Sequence, residues 1–168
     1  MATLKLPPQP RSAGRENEAE WLEVTPGERF TIRTSCKATN DAYVVLEFVA
    51  EPGNGVPMHI HDNEEEHFII VEGTAHMANG DTMVDLTAGS AITVDKGVPH
   101  AWCNRTEAPL RMLVIFTPGH IEGLFRAVAE ANGGGDMLTI ANAYHTRIVG
   151  PPLLEGMYTT FSPRSQEI

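Results

Sequence analysis

The sequence predicts an all-β barrel or sandwich followed by a short C-terminal helical extension. Short runs rich in β-branched and aromatic residues alternate with turn residues about every eight to ten positions up to residue 117. After Pro118-Gly119 the apolar residues change to helical spacing. A hydrophobic content of 42% and a charged content of 20% are typical of a globular protein.

The 168 residues are expected to form one compact unit, because chains divide into several cores only at greater length. Residues 1–20 are rich in proline and charge, and we interpret them as an N-terminal arm. Residues 21–117 are assigned to the barrel. Residues 118–168 are expected to form a helix and an extended tail that pack on the barrel.

The barrel is predicted to begin with a hairpin, Trp21–Val24 and Phe30–Arg33, which turns at Pro26-Gly27 and covers a sheet edge. Asn79-Gly80 is a second hairpin signal, because type I′ turns need positive φ at both central residues. The remaining strands are predicted at 42–50, around His59 and His61, and at 66–72, 75–77, 81–86, 90–94, 100–104 and 109–117.

The C-terminal extension is predicted to contain an amphipathic helix that begins near Ile121 and ends at Gly133-Gly134-Gly135. Residues 136–144 form a second short helix in this interpretation, with Asp136 as its N-cap. Residues 149–153 are expected to be extended.

Charge and composition exclude several classes of partner. A net charge of −10 with only 12 lysines and arginines disfavours nucleic acid and anionic membrane surfaces. The N-terminus has no apolar signal region, and no apolar run is long enough to span a membrane, so we expect a cytoplasmic protein. Cys36 and Cys103 are expected to be reduced. Exposed strand edges lead us to expect a homodimer.

The stretch Gly53–Gly73 carries the clearest chemical signal. His59 and His61 are two positions apart, so in a strand both imidazoles point to the same face. Glu66 opens the next apolar run. If both strands belong to one barrel wall, these three side chains converge inside it. His100, on a later strand, is the candidate for a fourth ligand, and an octahedral metal would then keep two open positions.

The spacing of these residues resembles the cupin family. Gly53, His59, His61, Glu66 and Gly73 are spaced as in the first cupin motif, and Gly89, Gly97, His100 and Asn104 as in the second. Asp95 stands where the second motif usually has proline. The resemblance covers roughly residues 42–117, and the segments after it are similar to bacterial cupins of the quercetin-dioxygenase-like type.

The resemblance implies a double-stranded β-helix, or jelly roll, with one divalent transition metal inside its mouth. Iron, manganese, nickel, copper and zinc all accept such ligands. The implied ligands are His59, His61, Glu66 and His100. Glu66 is also the candidate catalytic residue, since a carboxylate can alternate between metal ligation and proton transfer.

The remaining polar side chains receive weaker interpretations. Glu64 and Glu65 are expected to be solvated, because acidic runs are usually exposed. His67 is expected to point away from Glu66 and to be structural. The facing of His76 is undetermined, because the Gly73 bend interrupts strand parity. The predicted substrate pocket consists of Phe68, Ile70, Trp102 and His76.

The leading hypothesis for function is a metal-dependent dioxygenase that acts on a small organic or aromatic substrate. Two alternatives stay open. One is a metal-dependent isomerase or lyase without redox chemistry, and the other is a non-catalytic cupin that binds a small ligand or stores metal.

Overall fold

The structure is a computed structural model that describes residues 20–131 and 135–153. Almost all of the predicted N-terminal arm, Gly133-Gly134 of the predicted helix stop, and the tail from residue 154 lie outside the described residues. The β-strands are β1 Leu22–Thr25, β2 Glu28–Thr34, β3 Val44–Ala50, β4 Pro57–His61, β5 Glu65–Glu72, β6 Thr74–Asn79, β7 Thr82–Thr87, β8 Ala91–Val94, β9 His100–Cys103, β10 Leu110–Thr117 and β11 Thr146–Pro152.

Two antiparallel sheets form the body of the molecule, which confirms the predicted all-β class. The six-stranded sheet has the order β1-β2-β3-β10-β5-β8, and the five-stranded sheet has the order β11-β4-β9-β6-β7. From β3 to β6, and again from β7 to β11, successive strands lie in alternate sheets. This alternation is the jelly-roll arrangement.

The core lies between the sheets and follows the alternation of apolar side chains along the strands. Strand β10 illustrates the pattern, because every second side chain from Leu110 to Phe116 is buried. The largest fully buried apolar side chains are Phe30, Phe68, Phe116, Leu46, Ile70, Met77, Leu110, Met112, Ile121 and Val44.

In the described ranges the strands are accompanied by the short α-helices α1 Cys36–Thr39, α2 Glu122–Ala131 and α3 Met137–Ala143. Helix α2 packs on the barrel through Phe125, whose ring centroid lies 5.3 to 5.7 Å from those of Phe30, Phe48 and Phe116. Asp136 caps α3 as predicted, accepting hydrogen bonds from two backbone N–H groups of its first turn. No helix in the described part of the chain is long and apolar enough to cross a membrane.

The β6–β7 hairpin has a different turn from the one predicted. Asn79 pairs with Thr82, so the two-residue loop is Gly80-Asp81 and not Asn79-Gly80. Of these, only Gly80 has a positive φ, at 57°. A positive φ at the first central residue alone is the type II′ pattern, which needs glycine there and accepts aspartate next.

The first hairpin and the last strand are more extensive than the sequence pattern indicated. Strand β2 begins at Glu28, which pairs with Ala50 of β3, rather than at Phe30. Strand β11 pairs with β4 and extends the five-stranded sheet. The segment after the helices therefore forms part of the barrel wall, beside the strand that carries His59 and His61.

Asn104 joins the end of β3 to the loop between β9 and β10. Its buried amide nitrogen donates hydrogen bonds to the carbonyl oxygens of Ala50 and Ala108, at 3.0 and 2.8 Å. Its oxygen accepts from the backbone and hydroxyl groups of Thr106. All the polar atoms of this side chain are thus used, which fixes the chain directly after β9.

Replacing this amide tests its importance for the fold. We expect Asn104→Asp to lower the free energy of unfolding by about 3 kcal/mol, because it buries a charge and removes the donor from two carbonyls. The exposed substitution Asn142→Asp should change it by less than about 0.5 kcal/mol. Urea denaturation of both variants measures the difference, and equal effects would contradict a structural role for Asn104.

Candidate metal centre and cavity

Four side chains from three strands meet inside the barrel: His59, His61, Glu66 and His100. One potential ligand atom of each lies within 4.8 Å of the others. His61, Glu66 and His100 are 3%, 5% and 1% exposed. The structure therefore brings together the four residues that the sequence selected, and this cluster could bind a metal ion.

Strand pairing places the imidazoles. His59 and His61 both point inward from β4 because they are two residues apart. His59 is paired directly with His100 of β9, and their ring centroids lie 4.2 Å apart. Glu66 reaches the same space from β5, in the opposite sheet.

Hydrogen bonds orient all three imidazoles through Nδ1. The Nδ1 of His59 donates to the carbonyl oxygen of Pro57 at 2.8 Å, and that of His100 to Val98 at 3.0 Å. A carbonyl oxygen can only accept, so both Nδ1 atoms carry hydrogen and Nε2 is left for the cluster. The Nδ1 of His61 contacts the hydroxyl of Thr146 at 2.9 Å.

The charges of the cluster depend on one another. Glu66 Oε2 lies 2.7 Å from His100 Nε2 and 3.2 Å from His61 Nε2. Burial alone would raise the pKa of Glu66, but the hydrogen bonds and charges of His100 and His61 outweigh it and hold the pKa well below its usual range. Burial likewise opposes protonation of His100, yet Glu66 raises its pKa.

His59 differs, because burial lowers its pKa to about 3 and the nearby His100 and His61 reinforce the effect. It is therefore neutral at pH 7, with the Nε2 lone pair free. An ionised carboxylate and imidazoles that offer Nε2 are the chemistry a divalent transition metal requires. A metal would replace the proton that His100 shares with Glu66, so these residues fit the group.

The cluster opens into a cavity of about 170 Å³. Its walls are mostly apolar and come from both sheets and from α2 and α3. Besides His59, His61 and Glu66, the lining residues are Val24, Thr25, Glu28, Phe48, Gly55, Val56, Pro57, Trp102, Val114, Leu124, Phe125, Val128, Met137, Ala141, Thr146 and Ile148. No arginine or lysine of the described residues lines it.

Of the four residues predicted to form the substrate pocket, the structure places one at the cavity. Trp102 lines the cavity. Phe68 and Ile70 are each 1% exposed and belong to the core, outside the cavity lining. His76 pairs with Cys103, whereas Met77 is opposite Trp102, so His76 faces away from the cavity. Its Nδ1 lies 2.5 Å from a carboxylate oxygen of Asp85.

The expectation that Glu64 is solvated is wrong, because this side chain is buried and only 1% exposed. It lies one residue before β5 and two residues before Glu66, so continuing the alternation of that strand turns it inward. Burial raises its pKa against the influence of His61 and of His120, whose Nε2 lies 3.3 Å from Oε1. Glu65, between the two, is exposed as expected.

Two side chains of the site were missed, Glu28 and Thr146. Glu28 is 2% exposed, lines the cavity, and has a pKa raised to about 7 by burial. Thr146 is 4% exposed and is the register partner of His61. Neither carries a motif signal. The only available hint for Glu28 was its parity with the apolar Phe30.

Comparison with known proteins agrees with this geometry. The model of a family described as Cupin domain matches residues 46–116, the segment that supplies all four cluster residues. The chain contains a cupin domain.

Two curated relatives of this cupin share part of its sequence. Xanthan biosynthesis protein XanB of Xanthomonas campestris pv. campestris (strain B100) is 26% identical over 118 residues, covering 64% of this chain and 22% of the relative. Mannose-1-phosphate guanylyltransferase 2 of Escherichia coli O157:H7 is 28% identical over 75 residues, covering 45% and 16%. The chain thus spans less than a quarter of these proteins.

Solved structures show the same fold. KdgF from Halomonas sp. matches this cupin with a TM-score of 0.60 and 17% identity, covering 66% of this chain and 96% of that one. An RmlC-like cupin from Shewanella frigidimarina NCIMB 400 matches with a TM-score of 0.58 and 18% identity, covering 65% and 92%. The polyketide cyclase RemF from Streptomyces resistomycificus has a TM-score of 0.55 at 19% identity, covering 63% and 78%.

The Thr146 hydroxyl gives a test of how the C-terminal strand of this cupin supports the cluster. We expect Thr146→Val to weaken metal affinity about tenfold, because His61 loses the partner that orients its ring. The matched control is Thr93→Val, which removes the hydroxyl beside His67 Nδ1 at 2.5 Å, on the other sheet. Competition with a chromophoric chelator measures the metal affinity of both variants. An equal loss of affinity in the two would contradict the role of Thr146 in positioning His61.

Glu28 predicts an unusual pH dependence of stability. Burial raises its pKa to about 7 in the folded chain, from 4.5 for an unperturbed glutamate, so between these values the folded state holds a proton that the unfolded state has lost. Stability contributed by this group therefore falls as pH rises. We expect the stability of Glu28→Gln relative to the parent protein to increase by about 2 kcal/mol from pH 5 to pH 8 in urea denaturation. A difference in stability between the two proteins that does not change with pH would contradict the raised pKa of Glu28.

Proposed function

We propose that this cupin is a metal-dependent enzyme of the dioxygenase type that acts on a small, largely apolar organic substrate of about one aromatic ring. The observation that carries the proposal is the location of the His59, His61, Glu66 and His100 cluster at an apolar cavity. Three imidazoles and one carboxylate leave two positions of an octahedral metal for ligands from the cavity.

The volume of the cavity favours a single-ring substrate. An engineered cavity of about 150 Å³ in another protein takes one benzene molecule. The 170 Å³ found here is close to that size and small for a three-ring flavonol. We therefore keep the small organic or aromatic substrate expected from the sequence, and limit it to about one aromatic ring.

The chemistry of the cavity walls argues against a sugar-phosphate substrate for this chain. A sugar phosphate needs cationic side chains or backbone N–H groups for its phosphate. The described lining residues include neither arginine nor lysine. Together with the short matched segment, this argues against transferring the substrate named in mannose-1-phosphate guanylyltransferase 2.

The protein residues have separate parts in this proposal. When bound, a redox-active metal would supply Lewis acidity and electron transfer. His59, His61 and His100 would hold it through Nε2, and ionised Glu66 would neutralise part of its charge. Trp102 and the apolar side chains of α2 and α3 exclude water and position the substrate by contact.

The test is metal analysis of the purified protein followed by oxygen consumption with a panel of single-ring phenols and one flavonol. We expect a redox-active metal near one per chain, and oxygen uptake with a single-ring phenol but not with the flavonol. The double variant His59→Ala, His100→Ala should lose both the metal and the uptake. The control double variant His67→Ala, His76→Ala should keep them, since both residues lie outside the cluster.

Other results would overturn the proposal in distinguishable ways. If the protein contains zinc and takes up no oxygen, the dioxygenase proposal is wrong and the isomerase or lyase alternative takes its place. Unchanged metal content in the His59→Ala, His100→Ala double variant would show that these residues are not the metal ligands.

A further inference from the structure

Among the described residues that line the cavity, one carboxylic acid, Glu28, does not belong to the metal cluster. We infer that Glu28 is a specificity residue that accepts a hydrogen bond from a hydroxyl group on the substrate and excludes analogues with a carboxylate there. The inference rests on the proposed function, because it takes the ligand to occupy the same cavity. It extends that function by stating what the substrate carries besides its apolar body.

The position of Glu28 follows from the β2–β3 register. Glu28 pairs with Ala50, and Phe30, two residues on, pairs with Phe48. Glu28 therefore shares the inward face of β2 with Phe30, which is fully buried. Its side chain lines the cavity beside Thr25, Phe48 and the helical residues, while the cluster residues line the same cavity from β4 and β5.

Glu28 has almost no partner within the described protein. The Thr25 hydroxyl lies 3.5 Å from Oε2, at the outer limit of a hydrogen bond. No described arginine, lysine or histidine forms an ion pair with it. Three other buried carboxylates have ionic partners: Glu47 is paired with Arg33 and Arg111, Glu122 with Arg126, and Glu66 with histidines. Glu64 also accepts no hydrogen bond from the described residues, but it lies 3.3 Å from His120 and outside the cavity lining. Glu28 thus has unused hydrogen-bonding capacity in the wall of the cavity.

A buried carboxyl without a cation destabilises the fold, and burial accordingly raises its pKa to about 7. A bound hydroxyl group relieves that cost, because it can donate to the carboxylate or accept from the protonated acid. A methyl group leaves the carboxyl without a partner, and a carboxylate adds like charge in an apolar space. Sites of this kind discriminate strongly against ligands that lack the hydrogen-bonding group.

Three catechols with the same ring and a two-carbon side chain provide the probe: 4-ethylcatechol, 4-(2-hydroxyethyl)catechol and 3,4-dihydroxyphenylacetate. Binding to the metal-loaded protein is measured by calorimetry without oxygen at pH 8. The variants are Glu28→Gln, which keeps a polar side chain without charge, and Glu28→Met, which removes polarity. Glu51→Gln is the control, because Glu51 is exposed and lies outside this cavity.

The parent protein and Glu51→Gln should bind the hydroxyethyl compound about tenfold more tightly than the ethyl compound, and the carboxylate most weakly. Glu28→Met should lose the hydroxyl preference. Glu28→Gln should keep most of it and bind the carboxylate better than the parent does. Unchanged preferences in Glu28→Met, or a parent protein that prefers the carboxylate, would overturn the role of Glu28.

Failure of this inference can be told apart from failure of the proposed function. Equal binding of all three catechols would overturn the role of Glu28 and leave the single-ring cavity standing. Absence of binding by any catechol to metal-loaded protein would overturn both. Thermal denaturation of each variant shows that it is folded, and the Glu28 variants are expected to be at least as stable as the parent at pH 8.

Discussion

The pairing of β4 with its two neighbours is the constraint on which the site depends. On one side His59 is opposite His100, and on the other His61 is opposite Thr146. A shift of one residue in either pairing would turn both imidazoles of β4 to the other face of the sheet. Gly55 helps to hold this arrangement, since its backbone bridges Cys103 and a Cβ there would lie 2.5 Å from the Trp102 carbonyl oxygen. Side-chain packing alone would not define the cluster so closely.

The register also explains how a carboxylate can be buried beside three imidazoles. Moving Glu66 out of water is costly, and the cost is offset only because His100 and His61 donate to it or share a proton with it. The backbone carbonyls of Pro57 and Val98 fix which nitrogen of each ring faces the carboxylate. Glu66 raises the pKa of His100 and so favours a positive charge beside the carboxylate, and a bound metal would supply positive charge in its place. The cluster is therefore preorganised, and its geometry does not require a folding step on binding.

Local patterns predicted the parts of the molecule that depend on two-residue parity and on motif spacing. The strands and the common facing of His59 and His61 belong to this class, whereas the jelly roll and the full ligand set were implied by the resemblance to the cupin family. Parity applied through the acidic run would also have placed Glu64 inside, but the expectation that acidic runs are solvated took precedence. His76 could not be oriented, because its facing depends on which residue of β9 it pairs with. Thr146 and Glu28 depend on long-range registers, β11 with β4 and β2 with β3, that no local pattern contains.

The same division between local and long-range information applies to function. The segment that matches the Cupin domain, residues 46–116, supplies the whole cluster. Much of the cavity wall comes from outside it: from β1 and β2, from α2 and α3, and from Thr146 and Ile148 of β11. Similarity within the matched segment therefore carries information on the metal ligands and little on the substrate. In this chain the part of the wall outside that segment includes two threonines and one carboxylic acid, Glu28.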